Sequence, residues 1–274
     1  MALLRPGGRA SQPVIPEALW QQTLARYPFL LRQGTQSADA LKDLAQQFLA
    51  QKEFHGAAGL EVSDEMALAI AAQACLPLLG ITAPRQGLAW YRDFVGIVLY
   101  PGAMRARREM QDEIGVVHSY DEELTGEAMH EGPVTLSWQD VREAGATAAD
   151  GYNVVIHEFV HKIDLCDGAA DGCPPLASGF MGSSSAAQAL GSWRSCLQAA
   201  FQDFNDRLSM AERFGGAPVW LDPYGASAPD EFFAVASEAY FVNPQRFASE
   251  FPTLMPMFDA FFGASRASTA LRTN

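Results

Sequence analysis

Apolar positions recur at helical spacing along most of this chain, and one central stretch breaks that rhythm. Between Pro16 and Ala50 the residues Ala40, Leu41, Leu44, Phe48 and Leu49 fall on one helical stripe, with Ser37 and Asp39 as candidate caps. A Ser-Asp-Glu start at Ser63, with Met66, Ala67, Ile70 and Ala74 on one side, predicts a second helix to Leu76, ended by Pro77. From Phe94 to Trp138 the signal changes to short β-branched and aromatic runs. These are FVGIVLYPG with its Pro101-Gly102 turn, Ile114 to Tyr120, and Gly132 to Trp138. Short connections between them predict a small, largely antiparallel sheet, with the acidic residues 121–123 and 127 in a solvated loop.

Beyond Ala148 the helical period returns. A helix is expected to start at Asp150 or Gly151, run through NVVIHEFVHKIDL and stop at Asp167-Gly168. Residues 166–191, rich in Gly, Ala, Ser and Pro, read as a long loop of the functional or mobile kind. Leu190, Trp193, Leu197, Phe201, Phe204 and Leu208 then mark an amphipathic helix. Another begins near Pro229, where Ser227 and Asp230 resemble a capping box, and ends at Asn243-Pro244. The segment Phe247 to Phe262 predicts a terminal helix broken by Pro252 and Pro256. The class is α+β and mostly helical. A flexible arm at 1–15 precedes a single domain at 16–274. That domain comprises N-terminal helices (16–90), a sheet (94–138), the central helix (150–165) and a C-terminal helical part (186–264).

Composition narrows the function. The 274 residues are 49% hydrophobic and 19% charged, as in a globular protein. Nineteen basic against 32 acidic residues give a net charge of −13, and only Arg105, Arg107 and Arg108 cluster, so nucleic acid is not an expected partner. No apolar run reaches the roughly 18 residues of a membrane span, and MALLRPGGRASQP lacks the apolar stretch of a signal peptide. A cytoplasmic protein is expected. The four cysteines are too few for a disulfide framework and read as reduced.

The chemistry concentrates in His157-Glu158-Phe159-Val160-His161. On a helix, side chains four apart stack on one face, so both imidazoles point at a common ion, and zinc accepts imidazole nitrogen. Glu158, one residue on, leans beside the metal, where a base takes a proton from water. The apolar neighbours Val154, Val155, Ile156, Val160 and Ile163 bury this helix, and buried imidazoles beside a buried acid are costly unless something binds them. A catalytic site needs a third protein ligand. No histidine follows His161, so the donor is a carboxylate or a thiolate. Glu231 and Glu238, seven residues apart on one face of DEFFAVASEAYF, are tied by spacing, with Cys166 behind them. Asp164 is a candidate to orient an imidazole, and Glu238 is the same or a satisfied core acid. Asn153 reads as a helix-start residue, and His118 and His130 as packing or surface.

HEFVHKID, followed some seventy residues later by YGASAPDEFFAVASEAYF, resembles the Mlc titration factor A family of bacterial zinc peptidases. DEMALAIAAQACLPLL, GIVLYPG, GPVTLSW and GYNVVIHE extend the likeness over roughly residues 25–260. The arrangement is also similar to the catalytic domain of anthrax lethal factor. The resemblance implies a zincin-like fold with one Zn²⁺ held by His157, His161 and Glu231. It implies Glu158 as general base and Tyr224, seven residues before Glu231, as a stabiliser of the transition state. It further implies a peptide substrate, aminopeptidase-type activity, and binding of a glucose-responsive transcriptional repressor. The strand Pro133 to Trp138 would be either the edge along which substrate adds or an ordinary core strand. The rival reading keeps the zinc and drops the turnover, leaving a regulatory protein that sequesters the repressor. Glu158 speaks against it, because a structural zinc site has no use for a base.

Overall fold

A computed structural model describes residues 14–31, 35–81, 83–111, 117–124, 126–128 and 132–263. The expected arm at 1–15 lies outside the described residues except for Val14 and Ile15. The first helical stretch is two helices, α1 (Glu17–Arg26) and α2 (Thr35–Gln51), with one 3-10 turn at Pro28–Leu31 between them. After strand β1 (Glu53–Gly56) comes α3 (Asp64–Cys75), whose N-cap Ser63 accepts the Met66 N–H at 3.2 Å. Pro77 sits in the 3-10 turn Leu76–Leu79 that closes this helix.

The central stretch corrects the sequence-based expectation of an antiparallel sheet. Strand β2 (Gly96–Tyr100) and strand β6 (Val134–Ser137) are parallel neighbours, with Ile97 opposite Val134 and Tyr100 opposite Ser137. Strand β1 adds to the other side of β2, also parallel. The intervening residues form a separate antiparallel ribbon of β3 (Met104–Gln111) and β4 (Val117–Leu124), then β5 (Gly126–Ala128), which pairs antiparallel with β6. The order β1-β2-β6-β5 has a direct cause. Parallel neighbours need a crossover. Between β1 and β2 the crossover contains α3. Between β2 and β6 it contains the β3–β4 ribbon, and β5 carries the chain back so that β6 runs the same way as β2. The acidic run expected in a loop belongs to β4, where Asp121 and Glu123 stand in register with Arg107 and Arg105. The strand Pro133 to Trp138 is no edge: β6 lies between β2 and β5, with Val134 and Leu136 fully buried, and Trp138 already begins α4 (Trp138–Thr147).

Helix α5 (Val154–Asp164) starts later than expected, with Asn153 as N-cap; its Oδ1 accepts the Ile156 N–H at 2.9 Å. Past a 3-10 turn at Leu165–Asp167, Gly168 takes φ +95°, a left-handed stop that glycine adopts without penalty. The long loop leads to α6 (Ala186–Phe214), followed by α7 (Pro229–Val242). Ser227 makes no capping box. The N-cap of α7 is Ala228, without a side-chain cap, and the Ser227 hydroxyl donates to the Tyr224 carbonyl at 2.7 Å. The terminal segment is two helices, α8 (Pro244–Glu250) and α9 (Met255–Phe262). Among the described residues no helix is long and apolar enough to cross a membrane.

Two aromatic clusters seat the helices that matter. Behind α5, Phe159 packs against Tyr91 (5.0 Å between ring centroids), Phe48 (5.6 Å) and Phe94 (5.9 Å). Under α7, Phe233 meets Trp193 at 5.6 Å and Phe258 at 5.8 Å, while Phe232 meets Phe204 at 5.6 Å. Lys162 fastens the back of α5. Fully buried, its ammonium donates to Asp93 Oδ2 (2.9 Å) and to the Gly132 carbonyl (3.0 Å), ahead of β2 and β6 respectively. Replacing Phe159 with alanine opens a cavity in the first cluster. Urea denaturation of that variant is expected to show a loss of about 3–5 kcal/mol.

Candidate metal centre

Helices α5 and α7 bring the candidate residues together. His157 and His161, one turn apart on α5, present their Nε2 atoms 3.1 Å from each other. Glu231 Oε2 lies 3.1 Å from His157 Nε2 and 3.2 Å from His161 Nε2. Glu231 occupies the first turn of α7, where the exposed N–H groups of the helix favour a carboxylate. Two ligand bonds of about 2.0–2.1 Å at a tetrahedral angle require donors about 3.3 Å apart, so the observed triangle suits a small divalent cation.

The tie between Glu231 and Glu238 resolves into two different contacts with the same ring. Glu238 Oε1 lies 2.7 Å from His157 Nδ1, and its Oε2 accepts the Asn153 N–H at 2.5 Å. A ring nitrogen that holds a metal ion offers its lone pair, so with an ion at the triangle Nε2 would face the ion and the proton of His157 would sit at Nδ1, against Glu238. Burial alone would press the His157 pKa down, but the charge of Glu238 and the hydrogen bond to Glu231 raise it well above the usual imidazole value. Burial likewise pushes the Glu231 carboxyl up, and its hydrogen bonds to the two imidazoles outweigh that and hold it well below the usual range. Both shifts favour the charged forms, an imidazolium against a carboxylate, because the acids and imidazoles face one another at hydrogen-bond distance.

Glu158 stands beside the triangle. Only 4% exposed, it has its carboxyl pushed up to about 7 by burial, against the pull of His157 and His161. Strand β5 passes directly over it. A Cβ added at Gly126 would lie 2.3 Å from Glu158 Oε1, so only glycine leaves room for the carboxylate here. Pattern reading could not find Gly126, because the contact joins two elements remote in sequence.

Tyr224 lies on the 3-10 turn Pro223–Ala226, which is capped by Asp222, and is 41% exposed. Its hydroxyl donates to Glu231 Oε1 at 3.2 Å. Asp164 is not brought to an imidazole by any hydrogen bond. Its Oδ2 accepts the Gly172 N–H at 2.8 Å, its Oδ1 is unpartnered, and burial pushes its carboxyl up to about 7. The Cys166 thiol faces the carbonyls of Trp90 (3.2 Å) and Lys162 (3.3 Å), away from the triangle. His130 and the side chain of His118 lie outside the described residues.

Comparison with known proteins agrees with this geometry. The family model described as glucose-regulated metallo-peptidase M90 matches residues 5–263. Similar proteins include three called Mlc titration factor A. The one from Salmonella arizonae is 33% identical over 89% of this chain and 90% of its own length. The one from Escherichia coli is 32% identical over 97% and 92%, and the one from Cronobacter sakazakii 31% over 89% and 85%. With a family match spanning most of the sequence and a donor triangle able to hold a metal ion, this chain belongs to the glucose-regulated metallopeptidase M90 family.

Proposed function

We propose that this chain is a zinc-dependent peptidase in which His157, His161 and Glu231 hold the ion and Glu158 is the general base. One observation carries the reading: two imidazole nitrogens and one carboxylate oxygen, all within 4.8 Å of one another, stand beside a buried second carboxyl. Three protein donors of this type leave a coordination place free for solvent, which is the pattern of catalytic zinc. The bound ion supplies the Lewis acidity that makes water nucleophilic near neutral pH.

The residues of the chain do the rest. Glu158 takes the proton of the attacking water and passes it to the leaving amine. Its raised pKa suits both roles, since a carboxyl near neutrality both accepts and returns a proton. Gly126 keeps the carboxylate where the water must be. The Tyr224 hydroxyl, already within reach of Glu231, turns to the substrate carbonyl and stabilises the charge that develops there. Among the described residues β5 is the outermost strand on this side, and its free edge is where an extended peptide would add by backbone hydrogen bonds. The resemblance set out above adds an aminopeptidase preference and a cytoplasmic setting.

A second reading rests on the relatives' name, Mlc titration factor A, which says that those proteins titrate Mlc. In it, this chain captures a transcriptional repressor of that kind, with or without turnover. Glu158→Gln separates the two. The variant is expected to bind zinc as tightly as the wild type, to lose at least about 100-fold in kcat on peptide anilides, and to keep partner capture. Hydrolysis at the wild-type rate would refute the mechanism. Tyr224→Phe should also retain zinc and lower kcat about 100-fold with little change in KM, read from steady-state kinetics. Gly126→Ala displaces the base but none of the ligands. Zinc titration should be unchanged, and kcat should fall about 10–100-fold.

A further inference from the structure

Gln73 is wholly buried on α3, within an otherwise apolar run from Ala67 to Cys75. A buried amide without partners is costly, and a leucine would fill the same space. Both polar atoms of the Gln73 side chain are engaged. Its Nε2 donates to the Ala69 carbonyl one turn back, at 3.0 Å, which fixes the rotamer and aims Oε1 out of the helix. Oε1 accepts from Asn153 Nδ2 at 2.8 Å. Asn153, equally buried, spends its own Oδ1 on the Ile156 N–H and its backbone N–H on Glu238 Oε2. Glu238 in turn holds His157 Nδ1.

We propose that Gln73 is a positioning residue for the metal centre: by anchoring Asn153 it sets Glu238, and through Glu238 the orientation and tautomer of His157. This rests on the reading of His157 as a zinc ligand. The chain of bonds crosses three helices, and each link pairs one donor with one acceptor. Removing the Gln73 amide leaves Asn153 Nδ2 facing apolar side chains. Asn153 must then turn its side chain away, its Oδ1 releases the Ile156 N–H, and with that cap gone the N-cap backbone whose N–H pins Glu238 loses its hold. Partners of metal-bound imidazoles typically change metal affinity by about 10–100-fold when removed, and a residue one link further out acts at the lower end.

The test measures zinc affinity by competition with a chromophoric chelator, alongside urea denaturation of the apo protein. Gln73→Leu is expected to weaken zinc binding about ten-fold. Gln73→Glu, neutral in this burial, keeps one oxygen to accept from Asn153 and an O–H to donate to Ala69, and should restore most of the affinity. Asn153→Ser, which retains a capping oxygen and cuts the link to Gln73, should weaken binding to the same degree even where Gln73→Leu does not fold. Zinc affinity within two-fold of wild type in the folded link-breaking variants, whatever the change in apo stability, would make Gln73 a core residue only. His157→Ala serves as the reference. If it loses zinc while the other variants keep it, Gln73 alone is reassigned; if it binds zinc like the wild type, the metal reading falls and this inference with it.

Discussion

One imidazole held at both of its nitrogens organises this protein. Two carboxylates of α7, two turns apart, reach the two nitrogens of His157: Glu238 at Nδ1 and Glu231 at Nε2. That grip requires α5 and α7 to lie in one register, and the packing behind each helix supplies it. Phe159 on α5 is wedged among Phe48, Tyr91 and Phe94, while Phe232 and Phe233 on α7 are set against Phe204, Trp193 and Phe258. Hydrophobic burial is non-directional, so it seats the helices, and the hydrogen bonds select the register.

Placing three acidic side chains and two imidazoles in a largely apolar interior has an electrostatic cost that the protein alone does not remove. The raised carboxyls of Glu158 and Glu238 express that cost, while the depressed carboxyl of Glu231 and the raised imidazole of His157 show how far the acids and imidazoles offset it for one another. A divalent cation held as proposed at the triangle would offset the remainder, because it would counter the carboxylate charge and take up the converging Nε2 lone pairs. On that reading, metal binding and the integrity of this region would be linked.

The sheet serves the same centre from the other side. Its three parallel strands form a platform, and the short antiparallel β5 extends that platform over α5 until the backbone of Gly126 rests on Glu158. One strand thus confines the Glu158 carboxyl and presents an outward edge beside it. Lys162, one turn after Glu158 on α5, ties the helix to the residues preceding β2 and β6, so the sheet and the HExxH helix hold position together.

Much of the candidate site was legible in the linear order. His157, Glu158 and His161 announce themselves because a helix places residues four apart on one face, and the helices α3, α5, α6 and α7 follow from apolar period and stop signals. The seven-residue spacing of Glu231 and Glu238 put both on the right face and left them indistinguishable, because spacing says nothing about which nitrogen each one meets. Strand direction escaped as well. Short apolar runs look the same in parallel and antiparallel sheets, and only the β3–β4 ribbon, with β5 as return leg, settles how β6 enters. β1 was invisible, since Glu53–Gly56 is mostly exposed and owes its extended form to pairing with β2. Gly126 over Glu158 and Gln73 behind Asn153 join residues 32 and 80 positions apart. Local sequence determines which elements form and which donors they carry, because helix period and capping act over a few residues. Contacts between remote elements depend on how the whole core packs, and only the tertiary structure could decide them.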